Sequence, residues 1–355
     1  MPTPSKRSST SKHTAIIGAG MAGITAARTL MQAGHRVSVF EKSRGAGGRM
    51  STRRSEFGSF DHGAQFLTVR DARFEKALKA TAAPIAPWSA AVVRVLDTVG
   101  HAMATDETSQ VERWVATPGM SSLVKHWCAP IEAGLGGSAV HMHTLVSRLE
   151  PDALNPLQWQ LRTEGPDGAL QVHGGFDRVL LAIPHQQADA LLRASGQGLS
   201  WLNTLKSVEV EPCWTLMLAF PQAGAADGFG PRWHAARSDH HRIQWLARET
   251  SKPGRESVER WTVQASAAWS SEHLEDDDER VKAKLLRGFA EITGIRVAPS
   301  HAAVHRWRYS RTHTPLGQPF MWDEQLHIGL CGDWCLGHRV EDAFVSGLEL
   351  ALHIA

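Results

Sequence analysis

The sequence predicts an α/β protein that combines a parallel sheet with a second, mostly antiparallel sheet. An apolar run, a glycine-rich turn, a helix rich in Ala and Leu and a second apolar run follow one another across residues 14–41, an order typical of alternating strands and helices. Three later runs, residues 213–220, 243–248 and 260–267, are strand-like, have hairpin-like spacing and carry tryptophans, which favours an antiparallel sheet. The last apolar run, residues 326–330, precedes another helix and returns the chain to the first sheet.

The remaining elements are predicted from the same local signals. Helices are expected where apolar residues recur at helical spacing, and strands where short apolar or alternating runs are bounded by Gly, Pro, Asn or Asp. The predicted helices cover residues 71–80, a stretch that begins at 118–120, a stretch from 184 to about 193, 272–293 and 339–352, and the other predicted strands cover 92–96, 113–116, three segments within 139–162, and 177–183.

The first unit contains the pattern G-x-G-x-x-G between its strand and its helix. Gly18 permits the tight turn, Gly20 has no Cβ and lets a pyrophosphate approach the backbone, and Gly23 lets helix and strand pack closely. The helix N-terminus faces the phosphates with free N–H groups and a partial positive charge. Glu41 ends the next strand, where a carboxylate can accept hydrogen bonds from ribose hydroxyls. This context predicts a dinucleotide site rather than a glycine-rich turn that binds nothing.

A second glycine-rich loop follows Glu41 at once. Gly47 and Gly48 are adjacent and flanked by Arg44 and Arg49, which suits a loop that passes close to a phosphate while the arginines offer charge and donors. A domain for NAD alone would not need this second phosphate-facing loop, whereas a longer, folded-back dinucleotide such as FAD would. A solvated basic loop is the alternative interpretation.

Two further motifs can face the ring of such a cofactor. In residues 60–66, a Gly-Ala pair with a His and a Gln beside it can bring the backbone next to a flat ring. A histidine that is buried and hydrogen-bonded for structural reasons is the commoner explanation of this pattern. Near the end of the chain, Gly332 and Asp333 turn from a strand towards a helix. That arrangement offers a carboxylate to ribityl hydroxyls and a helix N-terminus to negative charge at flavin N1–O2.

Composition limits the other classes of function. The chain has 355 residues, 42% of them hydrophobic, so a sizeable core is expected. Its net charge is only +2, so there is no strong overall positive potential of the kind that indicates nucleic-acid binding. The four cysteines, Cys128, Cys213, Cys331 and Cys335, fit no disulfide framework, and a reducing cytoplasm is the simpler interpretation. Since the pair Cys331 and Cys335 lacks a second pair of ligands at finger-like spacing, no metal site is predicted.

The N-terminal segment and the hydropathy pattern indicate where in the cell the protein is expected. Residues 1–13 are polar and basic and run directly into the first strand, so we expect a disordered tail over 1–12 and no secretory signal. No run approaches the roughly 18–20 apolar residues of a membrane span. We therefore expect a cytoplasmic protein with no membrane partner.

Together, these motifs resemble those of the flavin-containing amine oxidase superfamily, and within it the bacterial renalase-like proteins. The first glycine pattern, Glu41, the second glycine loop and the Gly-Asp pair at 332–333 are specific for FAD. The Asp-His-Gly-Ala-Gln stretch at 61–65 and the His-Arg-Trp-Arg-Tyr stretch at 305–309 are less specific and favour the renalase-like branch. The other motifs that the family shares follow in order at 118–120, 181–184 and 339–341.

The resemblance implies a two-domain α/β fold of the p-hydroxybenzoate-hydroxylase or amine-oxidase type. One domain binds FAD with a Rossmann-like parallel sheet and a three-stranded crossover, and the other covers the flavin with an antiparallel sheet. On this basis, residues 13–80, 135–190 and 300–355 form a discontinuous FAD-binding domain, and residues 81–134 and 191–299 form the substrate domain.

The resemblance also implies hydride transfer from a small substrate to flavin N5, followed by reoxidation by O2 to give H2O2. In the renalase-like branch the substrates are misreduced isomers of NAD(P)H, which are returned to NAD(P)+. Amine oxidases typically set two aromatic rings about the substrate nitrogen, one of them a Tyr shortly before the Glu of the last helix, and here Arg339 takes that place. A cation repels an amine and pairs with a phosphate or carboxylate, so a nucleotide or other anionic substrate is favoured.

The motifs specify which residues we expect at the site. Those expected to contact a non-covalent FAD are Gly18, Gly20, Met21, Ala22, Gly23, Glu41, Lys42, Gly48, Arg49, His62, Gly63, Ala64, Gln65, Val146, Gly332, Asp333, Arg339 and Val340. Those expected to line the catalytic pocket are His62, Gln65, Tyr309, His338 and Arg339, each of which, taken alone, is more often structural than catalytic. Trp214 and Trp307 are candidates to stack on a ring, with core packing as the default.

Three other functions stay open from the sequence. They are an FAD amine oxidase or desaturase, an FAD monooxygenase that uses NADPH without a second nucleotide domain, and a non-catalytic flavin scaffold. Non-covalent FAD is expected because no cysteine lies in an obvious attachment motif, although Cys335 is near the flavin motif.

Overall fold

A computed structural model describes residues 11–88, 93–105, 112–197, 201–223 and 229–355. In chain order its strands are β1 (His13–Ile17), β2 (Arg36–Phe40), β3 (Arg53–Ser55), β4 (Gly58–Phe60), β5 (Ile85–Trp88), β6 (Val93–Leu96), β7 (Ala102–Thr105), β8 (Arg113–Ala116), β9 (Ala139–His141), β10 (Leu145–Pro151), β11 (Trp159–Glu164), β12 (Leu170–Phe176), β13 (Arg178–Leu181), β14 (Glu209–Phe220), β15 (Ala235–Ser238), β16 (Ile243–Arg248), β17 (Glu259–Ala265), β18 (His301–Thr314), β19 (Met321–Asp323) and β20 (Ile328–Leu330). Its helices are α1 (Met21–Gln32), α2 (Ala72–Ala80), α3 (Ser121–Glu132), α4 (His185–Ala194), α5 (Trp201–Leu205), α6 (Ala267–Glu272), α7 (Asp278–Thr293) and α8 (Val340–Ile354).

A mainly parallel sheet joins the two ends of the described chain. Its strand order is β19-β20-β13-β1-β2-β9. β1 pairs in parallel with β2 and β13, and β13 pairs in parallel with β20. The strands are almost continuously apolar because both faces are covered, and Ile16, Val39 and Leu180 are fully buried. The predicted return of the last strand to the first sheet is confirmed.

Helices α1 and α8 lie together against this sheet. A Cβ on Gly347 of α8 would lie well under 3.0 Å from the carbonyl oxygen of Ala22 in α1, so glycine is what permits this close approach. Ile24 of α1 and Leu350 of α8 belong to the same buried cluster as the sheet residue Ile16. The last helix therefore holds the N-terminal end of α1 against the sheet.

Strands β10, β11 and β12 form a separate antiparallel sheet. The chain enters it after β9 and leaves it into β13, which is the three-stranded crossover expected from the family resemblance. Leu149, Leu161 and Phe176 from this sheet pack with Val179 and Leu181 of β13 in one buried cluster. The crossover thus covers one face of the parallel sheet.

A seven-stranded sheet forms the second part of the molecule, in the order β18-β14-β17-β16-β15-β6-β7. Its neighbouring strands are antiparallel except for the parallel pair β15 and β6. One face packs on α7 through a cluster that includes Trp214, Val263, Leu285 and Phe289. The mostly antiparallel second sheet is confirmed.

One predicted helix is wrong at its start. The helix expected over 272–293 begins only at Asp278, as α7, because the Asp277 carboxylate caps it by accepting a hydrogen bond from the Arg280 N–H at 2.9 Å, and residues 273–277 separate it from α6. The acidic run 275–279 therefore lies across this cap rather than within a continuous helix. The predicted strand Ile243–Arg248 has the observed bounds.

Strand β18 is not predicted by any pattern in the sequence, because its fourteen residues are largely polar. Its pairing with β14 places residues 301–314 in the seven-stranded sheet. We therefore propose that the substrate domain includes this segment and that the FAD-binding domain resumes after residue 314; the other domain bounds stay predictions. Residues 1–10 of the predicted tail and position 92 of the predicted strand 92–96 lie outside the described residues.

Candidate active site

A cavity of about 1590 Å³ lies between the carboxyl ends of β1, β2, β13 and β20 and one face of the seven-stranded sheet. The carboxyl ends of parallel strands are where ligands bind in open α/β sheets. The volume exceeds the roughly 300–1,000 Å³ of ordinary small-molecule pockets, so the cavity has room for a dinucleotide and a substrate. Of the residues expected to contact FAD or to line the catalytic pocket, all except Gly23 line it.

The first glycine turn is shaped by close backbone packing. Gly18 has φ +105°, and a Cβ there would lie 2.5 Å from the carbonyl oxygen of Ala182. A Cβ on Gly23 would lie well under 3.0 Å from the Gly18 carbonyl oxygen, which agrees with the predicted role of Gly23 in helix–strand packing. At Gly20 the nearest heavy atom to such a Cβ is 4.0 Å away, so this position opens onto the cavity.

The second glycine loop touches the first. The Gly47 N–H donates to the Ala19 carbonyl oxygen at 2.9 Å. A Cβ on Gly48, where φ is +53°, would lie 3.2 Å from the Cα of Gly20. The two loops thus form a backbone cradle that larger side chains would fill, as a bound diphosphate requires.

Glu41 lies buried in the cavity wall at the end of β2. Its Oε2 accepts a hydrogen bond from the Ala19 N–H at 2.8 Å, and its Oε1 accepts one from the Ser43 N–H at 2.8 Å. A carboxylate has about four acceptor positions, so the two backbone donors orient the group and leave capacity for ribose hydroxyls.

Arg49 and Asp333 bind each other across the cavity wall. Arg49 Nη1 donates to Asp333 Oδ2 at 2.8 Å and to the Ser310 carbonyl oxygen at 3.1 Å, and Arg49 Nη2 donates to Asp333 Oδ1. From their motifs, the two side chains are expected to have separate roles, Arg49 at a phosphate and Asp333 at the ribityl hydroxyls. Those roles stay predictions, and the structure adds a bidentate pair between them, the strong geometry for a guanidinium and a carboxylate.

The loop that carries His62, Gly63, Ala64 and Gln65 is held rigidly against the second glycine loop. A Cβ on Gly63 would lie well under 3.0 Å from the Arg49 carbonyl oxygen, and the Ala64 N–H donates to that oxygen at 2.9 Å. Trp307 Nε1 donates to the His62 carbonyl oxygen at 2.9 Å. At Gly63 and Ala64 the loop therefore presents backbone rather than bulky side chains, as expected beside a flat ring.

Gln65 is held by hydrogen bonds on both ends of its amide. Its Nε2 donates to the carbonyl oxygens of Asp61 and Gly63, the latter at 3.2 Å, and its Oε1 accepts from Lys252 Nζ at 3.2 Å. An ammonium can only donate, so this arrangement fixes which way the amide faces. The contacts favour a positioning role for Gln65; its predicted catalytic role stays a prediction.

A buried cluster of charged residues lies behind Gln65 and is not predicted from the sequence. Lys252 Nζ lies 3.3 Å from Asp61 Oδ2 and 3.1 Å from Glu249 Oε1, and Arg255 Nη2 lies 2.6 Å from Asp61 Oδ2. Burial would raise the pKa of Asp61, but the positive charges of Lys252 and Arg255 outweigh it and hold the pKa below its usual value. The local sequence gives no signal for this cluster, because residues 249–255 have the composition of a polar loop.

His62 and His305 form an aromatic group with Trp307 at the cavity. The ring centroids of the two histidines are 4.7 Å apart, and that of Trp307 lies 5.0 Å from His62 and 4.4 Å from His305. Burial, helped by nearby positive charge, lowers the pKa of His62 to about 3 and that of His305 to about 4. Both imidazoles are therefore neutral and weakly basic at neutral pH.

A row of side chains crosses the cavity face of the seven-stranded sheet. Arg237 pairs with Trp245, Trp245 with Gln264, Gln264 with Thr215, and Thr215 with His305. Directly opposed residues of antiparallel strands lie on the same face, and four of these five line the cavity, Thr215 being the exception. The sequence analysis does not predict the roles of Arg237, Gln264 or His305 in this row, because they depend on strand register.

Phe66 extends this row from the opposite wall. Its ring centroid lies 5.8 Å from that of Trp245, and the Arg113 guanidinium lies 5.3 Å from it. Arg113 is 3% exposed. An aromatic pair with a buried cation beside it therefore forms one corner of the cavity.

The remaining predicted pocket residues lie at the cavity margin. Tyr309 lines the cavity from β18, and His338 and Arg339 are exposed where α8 begins. Trp307 lines the cavity, but Trp214 does not: its indole is buried on the α7 side of the sheet, where Nε1 donates to the His273 carbonyl oxygen at 2.9 Å.

All four cysteines are free and buried. Cys213 lines the cavity, whereas Cys335, the residue nearest to the flavin motif in sequence, does not. The non-covalent attachment of the cofactor stays a prediction that this placement supports.

The two glycine loops, the ribose acid and the Asp333 turn define a dinucleotide-binding oxidoreductase fold. A family model described as an NAD(P)-binding Rossmann-like domain matches residues 16–80, and one described as a flavin containing amine oxidoreductase matches residues 85–355. Since the second match covers more than half of the chain, the protein belongs to the flavin-containing amine oxidoreductase family. It is an FAD-dependent oxidoreductase, and the predicted fold class and cofactor are confirmed.

Solved structures share the fold over nearly the whole chain. A putative protoporphyrinogen oxidase from an Exiguobacterium species superposes with a TM-score of 0.74 at 14% identity, covering 97% of this chain and 99% of that one. A cofactor-binding variant of putrescine oxidase gives a TM-score of 0.69 at 13% identity over 97% of this chain and 99% of that one. At these identities the likeness concerns the fold alone.

Curated relatives match over a short segment only. An L-amino-acid oxidase of Bungarus fasciatus is 51% identical over 51 residues, which are 14% of this chain and 10% of that protein. One of Siganus canaliculatus is 51% identical over 47 residues, 13% of this chain and 9% of that protein. The chain thus spans about a tenth of the length of these relatives.

The described residues contain neither a membrane-spanning helix nor a cluster of metal ligands. Within the described ranges, none of the helices has the length and apolar character needed to span a bilayer. Over the same ranges, no group of three or more His, Cys, Asp or Glu side chains is arranged to hold a metal ion.

Proposed function

We propose that this protein is an FAD-dependent oxidase that removes a hydride from a small anionic substrate. In the renalase-like form of this proposal, the substrate is an isomeric dihydro-NAD(P), the product is NAD(P)+, and O2 is reduced to H2O2. The observation that carries the proposal is the excess of basic over acidic side chains on the cavity wall.

The charged side chains of the cavity wall are strongly unequal in sign. The acidic ones are Glu41, Asp239 and Asp333. The basic ones are Lys42, Arg49, Arg70, Arg113, Arg237, Arg306, Arg308, Arg311 and Arg339. Arg49 binds Asp333, and Arg306 and Arg308 share Glu275. A wall of this kind favours phosphate or carboxylate groups and disfavours an ammonium.

The residues nearest to the predicted ring position suit a donor that needs no protein base. His62 and His305, with pKa values of about 3 and 4, accept a proton poorly at neutral pH. A dihydropyridine loses a hydride and becomes aromatic without first losing a proton. The work left to the protein is to orient the donor and exclude water.

Several residues would hold FAD in this proposal. The loops at Gly20 and Gly48 would admit its diphosphate, Glu41 its ribose, and Asp333 its ribityl chain, while the backbone at Gly63 and Ala64 would border its ring. When bound, the cofactor supplies the hydride acceptor and passes the electrons on to O2.

Oxidation of an amino group is the second candidate, because the family model is described by amine oxidation and the curated relatives are L-amino-acid oxidases. An amino acid also carries a carboxylate, which the basic wall could bind. Against this candidate, Arg339 lines the cavity, and the family resemblance puts it in the place of an aromatic ring of amine oxidases.

The test is anaerobic mixing of the FAD-loaded protein with each donor while the flavin absorbance is followed. We expect rapid bleaching by at least one dihydro-NAD(P) isomer and slow or no bleaching by amines, amino acids and ordinary NADPH. Arg339→Ala should raise the half-saturating concentration of the isomer about tenfold. Absence of bleaching with every isomer would contradict the proposal, and bleaching by amino acids would favour the second candidate.

A further inference from the structure

We propose that the corner formed by Phe66, Trp245, Arg113 and Arg237 is a substrate-recognition subsite for a planar ring that carries an oxyanion. The inference rests on the proposed function only in placing the substrate in this cavity. It also specifies which residues determine substrate specificity and which two features of the substrate they recognise, a planar ring and an oxyanion.

The ring part of the subsite is an aromatic pair from two separate elements. Phe66 follows the rigid loop at Gly63, and Trp245 lies on β16, with their ring centroids 5.8 Å apart and tilted by 48°. Both line the cavity, and Trp88 supports Phe66 from behind at 6.3 Å. Tilted rings of this kind offer apolar edges and faces to a flat ligand at low conformational cost, since their own packing already holds them.

The anion part consists of two arginines, one next to each member of that pair. Arg113 lies on β8 with its guanidinium 5.3 Å from the Phe66 ring, and Arg237 lies directly opposite Trp245 on the neighbouring strand. Arg113 is buried and Arg237 is exposed, so one cation lies inside the corner and the other at its mouth. A guanidinium binds carboxylate and phosphate oxygens in a planar, two-point fashion.

The corner is distinct from the phosphate-facing part of the cavity. The glycine loops and Glu41 lie at the parallel sheet, whereas Arg113 and Arg237 come from β8 and from β15 of the seven-stranded sheet. Among the described residues that line this end of the wall, Asp239 is acidic and exposed and lies two residues from Arg237 in sequence. An oxyanion at this corner therefore belongs to the substrate rather than to the diphosphate of the cofactor.

The shared ligand chemistry has two sources, an aromatic carboxylic acid and a phosphate-bearing ring compound. Titration calorimetry of the FAD-loaded protein separates them with three probes: benzoate, phenyl phosphate and the neutral benzyl alcohol. We expect at least one of the two anions to bind about tenfold or more tightly than benzyl alcohol. Tighter binding of benzoate identifies a carboxylic acid, and tighter binding of phenyl phosphate identifies a phosphate-bearing substrate.

Variants assign the binding to the named residues. Arg237→Gln, at an exposed position, should weaken the preferred anion about three- to tenfold, and Arg113→Gln should weaken it more, with partial recovery in Arg113→Lys. Trp245→Leu should weaken all three probes. Arg232→Gln, an exposed arginine outside the cavity wall, should bind the probes like the unmodified protein.

Equal affinities for benzyl alcohol and both anions would overturn the inference, as would unchanged anion affinity in folded, flavin-loaded Arg237→Gln and Arg113→Lys. Because binding is measured without turnover, a failure to oxidise dihydro-NAD(P) isomers leaves this test intact. Conversely, bleaching by an isomer combined with no anion preference would contradict the subsite while leaving the proposed oxidase activity standing.

Discussion

The two walls of the cavity are built from different parts of the polypeptide. On the side of the parallel sheet, the shape comes from backbone: Gly18, Gly20 and Gly48 leave room because they lack a Cβ, and N–H groups orient Glu41. On the side of the seven-stranded sheet, the shape comes from side chains such as Trp245 and Gln264, set by strand register.

The two walls should therefore tolerate different kinds of substitution. A backbone-built wall should be damaged by added atoms, since any new Cβ enters space that a ligand or another loop needs. A wall built from side chains should be damaged by removed groups, above all where buried charges depend on each other. Substitutions of the two kinds should therefore affect the two walls differently.

The largest effect is expected behind the side-chain wall. Lys252→Met removes the ammonium that faces Asp61 and Glu249, both 0% exposed, and leaves uncompensated buried negative charge. The free energy of unfolding should fall by about 3–5 kcal/mol, measured by urea denaturation of the FAD-loaded protein.

The matched control is Lys79→Met, which removes an ammonium that is 75% exposed and paired with Glu75. Its cost should stay within about 0.5 kcal/mol, as for most surface ion pairs. A Lys252→Met protein as stable as this control would show that the buried cluster contributes nothing to the wall.

An intermediate effect is expected from adding one methyl group to the backbone wall. Gly23→Ala places a Cβ against the Gly18 carbonyl oxygen, so α1 must shift and the protein should lose about 1–3 kcal/mol of stability. Thermal unfolding of the FAD-free protein measures this.

Gly20→Ala separates cofactor binding from stability, because its Cβ would meet nothing nearer than 4.0 Å and its φ of −81° suits any residue. The stability of the FAD-free protein should change by less than about 0.5 kcal/mol. The affinity for FAD, measured by fluorescence titration, should nevertheless fall about tenfold or more, because the methyl group occupies the place of the diphosphate. Unchanged FAD affinity would contradict the assignment of the cradle.

The smallest effect concerns pH and the neutral His62. Burial lowers the pKa of His62 to about 3, below the pKa of the same side chain in the unfolded chain. At a pH between these two pKa values, the unfolded state therefore binds more protons than the folded state. The stability contributed by the neutral ring is fully present above the pKa of the unfolded chain and is lost as the pH falls below it. Between pH 7.5 and 5.5 the loss should be about 1.4 kcal/mol.

Denaturation of the His62→Gln protein at both pH values checks this, since that part of the pH dependence should disappear. His101→Gln, at a side chain that is 83% exposed, should keep the pH dependence of the unmodified protein. An unchanged slope in His62→Gln would show that the histidine is not buried in its neutral form.

The backbone wall could be predicted from sequence because its signals are local. Gly18, Gly20 and Gly23 lie within six residues and each has a conformational reason that needs no knowledge of the rest of the chain. The packing role expected for Gly23 agrees with its contact with the Gly18 carbonyl oxygen. Asp333 could be placed because a strand, a Gly-Asp turn and a helix follow one another directly.

The side-chain wall could not be predicted, because its residues are neighbours only through register. Arg237, Gln264 and His305 come from three strands whose alignment is set by long-range pairing. Lys252 lies in a segment with loop composition, and its burial follows from tertiary packing rather than from any local pattern. The pairing of Arg49 with Asp333 likewise depends on tertiary packing and has no local sequence signal.

That pairing joins positions 284 residues apart and has a consequence for how the protein is made. On the ribosome, β1, α1 and β13 emerge well before β20 and α8 do. Until then β13 has an open parallel edge, and such edges invite pairing with other chains. Nascent chains should therefore depend on chaperones between the emergence of β13 and that of β20, and they should acquire their yellow colour only after α8 has emerged.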